Sequence, residues 1–134
     1  MDQVNLIEGV ILSKLKIIKS DEGSVLRYLR YNDNGFNQFK ESYFSTVNKD
    51  IVKPWKRHIK MTLNLAVPIG KIKFVLFDNR KDSSTYHKFT EIILSTENYC
   101  RLTVPPNIWM AFKGIEVYNL LINYKNIKFD LPQK

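Results

Sequence analysis

Short apolar runs recur about every ten residues along the chain and are separated by polar or turn-forming segments. The runs are rich in Ile, Val, Phe, Tyr and Leu, and they lie at residues 10–18, 25–31, 41–47, 60–67, 71–77, 90–95, 101–104 and 118–123. Runs of this length and composition predict β-strands, and short strands at regular spacing are typical of a sandwich or barrel. The pattern therefore predicts an all-β fold.

The run at residues 60–67 alternates strictly between two sets of side chains. The apolar set is Met61, Leu63, Leu65 and Val67, and the other set is Lys60, Thr62, Asn64 and Ala66. Successive side chains of a strand point to opposite faces, so this alternation predicts a half-buried strand. Continued backwards along the chain, the same alternation places His58 on the polar face with Lys60.

Turns and loops are predicted between the strands. Residues 68–70 are predicted to form a tight turn, because Gly70 accepts backbone conformations that other residues resist. Residues 78–84 are predicted to be a surface loop, and residues 107–112 at most a single helical turn. No repeat or flexible linker interrupts the sequence, so residues 1–134 are predicted to form one domain.

Cysteine content and hydropathy bear on the compartment. Cys100 is the only cysteine, so no intrachain disulfide can form. The N-terminus lacks the pattern of a signal peptide, and the longest apolar runs, such as residues 63–69, are far shorter than the roughly 20 residues of a membrane-spanning helix. We therefore expect a soluble cytoplasmic protein without a membrane partner.

The net charge of +8 predicts attraction to polyanions, which include nucleic acids, anionic membranes and small phosphorylated ligands. The Lys and Arg residues are spread over the whole chain and form no stripe or tail. This distribution weighs against a nucleic-acid partner. A diphosphate ligand would need only a few of these charges.

The order of several segments between residues 39 and 112 resembles the dTDP-4-dehydrorhamnose 3,5-epimerases. The strongest part reads LSTEN at residues 94–98, followed by RLTVPP at residues 101–106 and an aromatic-containing turn. Residues 55–58, which read WKRH, lie where the family has arginine, glycine, leucine and its catalytic histidine. The resemblance implies a cupin-type jelly-roll β-barrel of two antiparallel sheets. It also implies a metal-independent sugar-nucleotide epimerase with His58 as its base.

The chain departs from the family pattern at several positions. Trp55 replaces the arginine, and Met110 replaces the histidine that follows the proline turn. The family's catalytic lysine and tyrosine have no clear counterparts, because the match is gapped near Leu63 and Leu120. The chain is also similar to the shorter sugar 3,4-ketoisomerases, which carry a tryptophan where Trp109 stands here. Both resemblances imply a nucleotide-linked 4-keto-6-deoxy sugar as substrate.

The chemistry of a 4-keto sugar assigns roles to several of these residues. The ketone acidifies the hydrogens on its neighbouring carbons, so the reaction needs a base there and a donor at the ketone oxygen. His58 is the predicted base, because an imidazole titrates near neutral pH. Lys60 is predicted to steady the enolate, and Tyr43 or Tyr118 to return a proton from the opposite side. With two histidines and one cysteine in the chain, no metal and no cofactor are expected.

Basic and aromatic residues are the candidates for holding the nucleotide. Cationic side chains bind phosphate oxygens, guanidinium groups in a two-pronged fashion, and flat rings stack on a base or a sugar. The predicted substrate-binding residues are Arg57, Lys53, Arg27, Arg101, Trp55 and Trp109. The plainer interpretation is a solvated basic surface with tryptophans that serve packing.

The sequence leaves three functions open. The first is epimerisation at C3, or at C3 and C5, on a route to a deoxy sugar of a surface polysaccharide such as O-antigen. The second is 3,4-ketoisomerisation of the same substrate class, and the third is binding of a sugar nucleotide without catalysis. A homodimer is expected, because the N-terminal run at residues 4–18 could lend a strand to a neighbour.

Overall fold

The computed structural model describes residues 5–36 and 41–125, and within these residues it contains eleven β-strands and no helix. The strands are β1 (Ile11–Lys14), β2 (Ile17–Ser20), β3 (Gly23–Leu26), β4 (Glu41–Asn48), β5 (Val52–Arg57), β6 (Leu63–Ile69), β7 (Lys71–Asp78), β8 (Phe89–Ser95), β9 (Cys100–Val104), β10 (Ile108–Gly114) and β11 (Tyr118–Lys125). The prediction of an all-β fold is confirmed.

Two antiparallel sheets form the body of the fold. The larger sheet has the strand order β1-β9-β6-β11-β4, the smaller has the order β5-β10-β7-β8, and β2 and β3 form a separate hairpin. The chain passes from the larger sheet to the smaller between β6 and β7, at Gly70, whose φ is 86°. A side chain there would clash with the backbone carbonyl of Tyr118. The connection predicted at Gly70 is therefore confirmed, whereas Pro68 and Ile69 of the predicted turn belong to β6.

The hydrophobic core fills the space between the two sheets. Ile72, Phe74 and Leu76 of β7 are fully buried, whereas the residues between them are partly exposed. Leu65 of β6 and Leu102 of β9 belong to the same buried cluster. Burial of each such side chain contributes about 1.5–3 kcal/mol. Polar side chains that lie within this apolar core are therefore candidates for a functional site.

Strand β6 is buried on both faces, so the prediction of a half-buried strand is wrong. Asn64 and Ala66 are 0% exposed, like their apolar neighbours. The segment between β3 and β4 supplies partners on the outer face, where Asn64 Nδ2 donates to the Gly35 carbonyl at 3.1 Å. On the neighbouring strand Thr103 Oγ1 donates to Asn64 Oδ1 at 2.6 Å. A satisfied buried asparagine looks the same in the sequence as an exposed one.

Residues 107–112 do not form the predicted helical turn, because most of them belong to β10. This strand lies between β5 and β7 and pairs with both. Asn107, with a φ of 70°, forms the turn that precedes it. Pairing on both sides satisfies the backbone of β10, and a short run considered alone does not show such partners. The predicted strand at residues 10–18 likewise divides into β1 and β2, and the one at residues 25–31 ends at Leu26.

The loop predicted at residues 78–84 begins one residue later, because Asp78 is the buried last residue of β7. The Asp78 carboxylate accepts hydrogen bonds from Arg80 Nε at 2.9 Å, Ser83 Oγ at 2.5 Å and Thr85 Oγ1 at 2.6 Å. Burial opposes ionisation, but these hydrogen bonds outweigh it and hold the pKa of Asp78 well below its usual range. These four residues, the Asp78 cluster, fix the connection between β7 and β8.

Candidate active site

A pocket of about 170 Å³ opens between the two sheets, near the start of β6 and the end of β11. Both sheets contribute to its lining, which consists of Tyr43, Ser45, Thr46, Val47, Lys53, Pro54, Lys56, His58, Leu63, Leu65, Met110, Phe112, Leu121, Asn123 and Lys125. Apolar side chains make up part of the wall, and a few polar groups converge on it. Sites for small molecules commonly have this composition.

His58 directly follows β5 and lines the pocket. Its backbone carbonyl accepts a hydrogen bond from the Asn107 amide at 2.7 Å, which ties the residue to the turn before β10. Its side-chain Nδ1 is buried and has no hydrogen-bond partner within the part of the chain that the structure describes. Buried polar atoms are normally paired. An unpaired one in a pocket therefore indicates a group that meets a ligand.

The surroundings of His58 keep its imidazole neutral. Burial has the largest effect, the positive charges of Lys125 and Lys56 add to it, and together they lower the pKa of His58 to about 4. At neutral pH the ring is therefore a proton acceptor. A negatively charged ligand would offset the two lysine charges, raise the pKa of His58 and make the imidazole a stronger base.

The lowered pKa of His58 predicts a loss of stability in mild acid. The side chain has a pKa of 6.5 in the unfolded chain and about 4 in the folded chain, so protonation favours unfolding. Its contribution to the free energy of unfolding is complete above pH 6.5 and is lost as the pH falls to about 4. Urea unfolding at about pH 7 and about pH 4.5 should show a smaller decrease for His58→Gln than for the wild type. Equal decreases would contradict the assignment.

Lys125, Tyr43 and Asn123 form a polar group on the side of the pocket that the larger sheet provides. The Lys125 ammonium lies 4.6 Å from the centre of the Tyr43 ring, and Asn123 Nδ2 donates to the Tyr43 hydroxyl at 3.5 Å. Burial lowers the pKa of Lys125 to about 8, and Glu41 opposes this shift. Burial also raises the pKa of Tyr43, so the phenol keeps its proton at neutral pH. The pocket thus holds an imidazole, an ammonium and a phenol.

Three of the predicted site residues, His58, Tyr43 and Lys53, line this pocket, and Lys60 does not. Strand β5 ends at Arg57, and the chain bends at residues 59 and 60. The regular strand that was expected to align Lys60 with His58 is therefore absent. Lys60 is exposed and lies outside the pocket lining, and its role at the enolate stays a prediction.

Tyr118 lies at the far end of β11 from the pocket. It is the first residue of that strand and Lys125 is the last. Seven residues at about 3.3 Å each separate the two by roughly 23 Å. Tyr118 is also 53% exposed. Tyr118 therefore lies outside the pocket, and Tyr43 is the tyrosine of the predicted pair that lines it.

Arg101 lies on the outer face of the larger sheet, and its guanidinium is already engaged. It donates to two backbone carbonyls of the segment between β3 and β4 at 2.6 and 2.9 Å and lies 3.4 Å from the Asp33 carboxylate. These contacts hold that segment against the sheet. Arg27 borders a separate cavity of about 700 Å³ on the same side. Within one chain, neither arginine lines the pocket of His58, and their contact with the substrate stays a prediction.

Trp55, Arg57 and Trp109 lie on the outer face of the smaller sheet. Side chains alternate along β5, so Trp55 and Arg57 point away from the pocket that Lys56 lines. The Arg57 guanidinium lies 5.1 Å from the centre of the Trp109 ring, a cation–π contact. The two tryptophans border a shallow apolar groove on this outer face. Neither tryptophan lines the pocket of His58, and their stacking on a ligand stays a prediction.

The sequence patterns do not single out Lys125, Asn123 or Lys56. The last predicted strand ends at residue 123, whereas β11 continues to Lys125. Two further residues of alternation place residue 125 on the same inward face as residues 121 and 123. That continuation is the signal in the sequence that could have identified Lys125.

Residues 5–36 and 41–125 contain no group of three or more His, Cys, Asp or Glu side chains arranged to hold a metal ion. No helix in the same ranges is long and apolar enough to cross a membrane.

Comparisons with known proteins identify relatives of the chain, although no protein-family model matches it. The crystal structure of a dTDP-sugar isomerase from Desulfovibrio desulfuricans G20 superposes with a TM-score of 0.91 at 37% sequence identity, over 98% of this chain and 84% of that chain. A probable low-salt glycan biosynthesis epimerase of Haloferax volcanii is 27% identical over 127 residues, which are 92% of this chain and 81% of the relative.

A more distant structure shows the shared fold. The dTDP-6-deoxy-D-glucose-3,5-epimerase of Legionella pneumophila, solved in complex with dTDP-4-keto-L-rhamnose, has a TM-score of 0.82 at 18% identity. The superposition covers 96% of this chain and 73% of that chain. Together with the two antiparallel sheets, these similarities confirm the predicted jelly-roll fold of the cupin type.

Proposed function

The chain belongs to the dTDP-sugar isomerase family and is a sugar-nucleotide epimerase, and we propose that it inverts C3, or C3 and C5, of a nucleotide-linked 4-keto-6-deoxy sugar in the cytoplasm. His58 is the proposed base. The observation that carries this proposal is the buried, unpaired Nδ1 of His58 in a pocket that also holds cationic side chains. The relatives support the substrate class, because one is named for a dTDP sugar and another for glycan biosynthesis.

The first step of the proposed reaction is removal of the C3 proton by the neutral imidazole of His58. The electron pair of the C3–H bond forms a C3=C4 double bond, and the π electrons of the ketone move to its oxygen. The product of this step is an enolate and an imidazolium. Positioned base catalysis of this kind contributes about 10²–10⁴-fold to a rate.

The second step returns a proton to the opposite face of C3. Tyr43 is the proposed donor, because it belongs to the larger sheet whereas His58 follows a strand of the smaller one. Protonation converts the enolate back into the ketone and leaves a phenolate at Tyr43, which the adjacent Lys125 ammonium stabilises. Exchange of protons with water then restores Tyr43 and His58.

The diphosphate of the substrate is proposed to lie against Lys53 and Lys56. Both lysines line the pocket and keep exposed side chains at its entrance. An ammonium is a compact point charge that binds phosphate oxygens without a fixed geometry. The negative charge of the ligand also offsets the effect of Lys56 on His58, so substrate binding raises the basicity of the imidazole.

Product analysis tests the proposed reaction. The protein would be incubated with dTDP-4-keto-6-deoxyglucose, and the sugar protons would be followed by NMR. Inversion at C3, or at C3 and C5, with the ketone still at C4 is the expected result. A ketone moved to C3 would instead identify a 3,4-ketoisomerase. An unchanged sugar that nevertheless binds would identify a protein that holds sugar nucleotides without catalysis.

The outer face of the smaller sheet is the proposed contact in a homodimer. Phe89 is 62% exposed, Trp55 is 45% exposed and Ile93 is 44% exposed, and all three belong to this face. Lys73 and Glu91 on the same face form an ion pair at 2.8 Å, so these two charges offset each other. Exposed apolar side chains grouped in this way are typical of a surface that contacts another protein chain.

Replacing Phe89 with aspartate should weaken self-association by at least about 100-fold, because the change places a charge in an apolar contact. Sedimentation equilibrium measures the dissociation constant directly. Tyr31→Asp is the matched control, since Tyr31 is 82% exposed and lies in the segment between β3 and β4. A monomeric wild type, or equal dissociation constants for the two variants, would contradict this interface. The predicted strand exchange by residues 4–18 includes residue 4, which lies outside the described residues.

A further inference from the structure

We propose that Lys125 is a further catalytic residue, whose ammonium donates a hydrogen bond to the C4 oxygen of the sugar as that oxygen becomes an enolate. This inference rests on the proposed epimerase function. Lys125 is the last residue of β11 and lines the same pocket as His58. It is 1% exposed, although lysine is among the residues least often buried. A buried lysine that lines a ligand pocket therefore indicates a functional role, because it contributes nothing to the solubility of the surface.

The position of Lys125 in the larger sheet directs its ammonium into the pocket. In the strand register it lies beside Glu41 of β4 and Leu63 of β6. Its nitrogen lies 4.6 Å from the centre of the Tyr43 ring, and its charge reaches His58 strongly enough to lower the pKa of that imidazole. The proposed base, the proposed acid and the ammonium therefore surround one small space.

The other lysines of the pocket fit a different task. Lys53 and Lys56 line the pocket but keep exposed side chains, which suits contact with a diphosphate that remains partly in water. Lys125 is the buried member of this group. A donor held in a dry site needs no reorganisation when charge develops, and it stabilises an oxyanion more than the same donor would in water.

The proposed hydrogen bond fits the proton balance of the reaction. When His58 removes the C3 proton, negative charge appears on the C4 oxygen, and an N–H of Lys125 donates to it. When Tyr43 protonates C3 from the other face, the oxygen electron pair re-forms the C4=O bond and the C3=C4 π electrons form the new C3–H bond, so the ketone is restored. Lys125 keeps its proton throughout, so the step consumes no further reactant.

The charge state of Lys125 gives the proposal a pH signature. The charged and titratable groups that face it are Glu41 and Tyr43 of β4, Lys56 of β5 and His58. Burial lowers the pKa of Lys125 to about 8, and Glu41 raises it in part. Above about pH 8 the ammonium loses its proton and its charge. The pH dependence of kcat/KM reports the free enzyme, so wild-type kcat/KM should decline above this pH.

Lys125→Met removes the charge and keeps a side chain of similar length. It is expected to lower kcat by about 10²–10³-fold and to change KM much less, because the lost hydrogen bond forms mainly in the transition state. Lys113→Met is the matched control, since Lys113 is exposed on β10 and does not line the pocket. Its kcat should equal that of the wild type. A thermal unfolding curve verifies that both variants fold.

Lys125→Arg provides a second, independent readout. A guanidinium stays protonated at every accessible pH, so the decline of kcat/KM above about pH 8 should disappear in this variant. This comparison tests the proposal even if Lys125→Met does not fold. Wild-type kcat for a folded Lys125→Met, or a wild-type profile that does not decline above about pH 8, would overturn the proposal. An inactive wild type would instead overturn the proposed function itself.

Discussion

Replacing His58 with asparagine is expected to reduce the kcat of epimerisation about 10³-fold, since the variant lacks the base that removes the C3 proton. KM should change little, because the proposed contacts to the diphosphate come from Lys53 and Lys56. The buried Nδ1 of His58 contacts no other described residue through a hydrogen bond, so its loss leaves no protein partner unsatisfied. Steady-state kinetics with a nucleotide-linked 4-keto-6-deoxy sugar measures both constants.

The chain contains two histidines, and the second provides the control for this experiment. His87 lies in the loop between β7 and β8, where its ring stacks on that of Tyr86 with centroids 3.7 Å apart. Its φ is 66°, a conformation that asparagine accepts well. His87→Asn should therefore retain the wild-type kcat. A folded His58→Asn variant that kept more than about a tenth of the activity would contradict the role of His58 as base.

Replacing Asp78 with asparagine is expected to lower the free energy of unfolding by about 3 kcal/mol, the largest effect on stability that we predict. The amide cannot accept hydrogen bonds from Arg80, Ser83 and Thr85 at once, and it leaves the guanidinium without its counter-charge. Urea unfolding at neutral pH measures the change. The same carboxylate stabilises the fold above pH 3.8, the pKa of an unperturbed aspartate, and this contribution is lost as the pH falls further.

Asp82 provides the control for Asp78. It lies in the same loop and has an exposed side chain. Asp82→Asn should change the free energy of unfolding by less than about 0.5 kcal/mol, as is usual for surface substitutions. Equal effects of the two substitutions would show that the Asp78 cluster does not hold the connection between β7 and β8 in the way the hydrogen bonds indicate.

The alternation of polar and apolar residues was sufficient to predict strands that have one face toward the core and the other toward solvent. The run predicted at residues 41–47 is β4 (Glu41–Asn48), and the run predicted at residues 71–77 is β7 (Lys71–Asp78). Side chains along both strands alternate in exposure. The pattern failed at β6, because Asn64 is covered by a segment from elsewhere in the chain. The period of polar and apolar residues along a strand does not show which segment packs on its second face.

The sequence predicted the site residue that belongs to a motif, but it did not predict the residues that only the folding of the chain brings to the pocket. The family resemblance and the chemistry of imidazole selected His58, which lines the pocket. Lys60 was chosen by extending an alternation through residues 58–62, where the chain forms no strand. Lys125 lies 67 residues after His58 in the sequence. It reaches the pocket only because β11 pairs with β4 and β6.

The arginines predicted to bind phosphate lie outside the pocket for a related reason. An arginine in a strand has the same appearance in the sequence whether it binds a ligand or anchors a loop. Arg101 anchors the segment between β3 and β4 through its carbonyls and Asp33. Arg57 lies beside Trp109 on the outer face of the smaller sheet. The face on which a basic residue lies, rather than its charge, decides whether it reaches the pocket.

Exchange of the C3 hydrogen with deuterated water tests most directly whether His58 removes a proton from the carbon beside the ketone. Wild-type protein incubated with dTDP-4-keto-6-deoxyglucose in deuterated water should place deuterium at C3, as followed by NMR. His58→Asn should bind the nucleotide sugar and place none there. Equal rates of incorporation in both proteins, or no incorporation by a wild type that binds the sugar nucleotide, would contradict this role of His58.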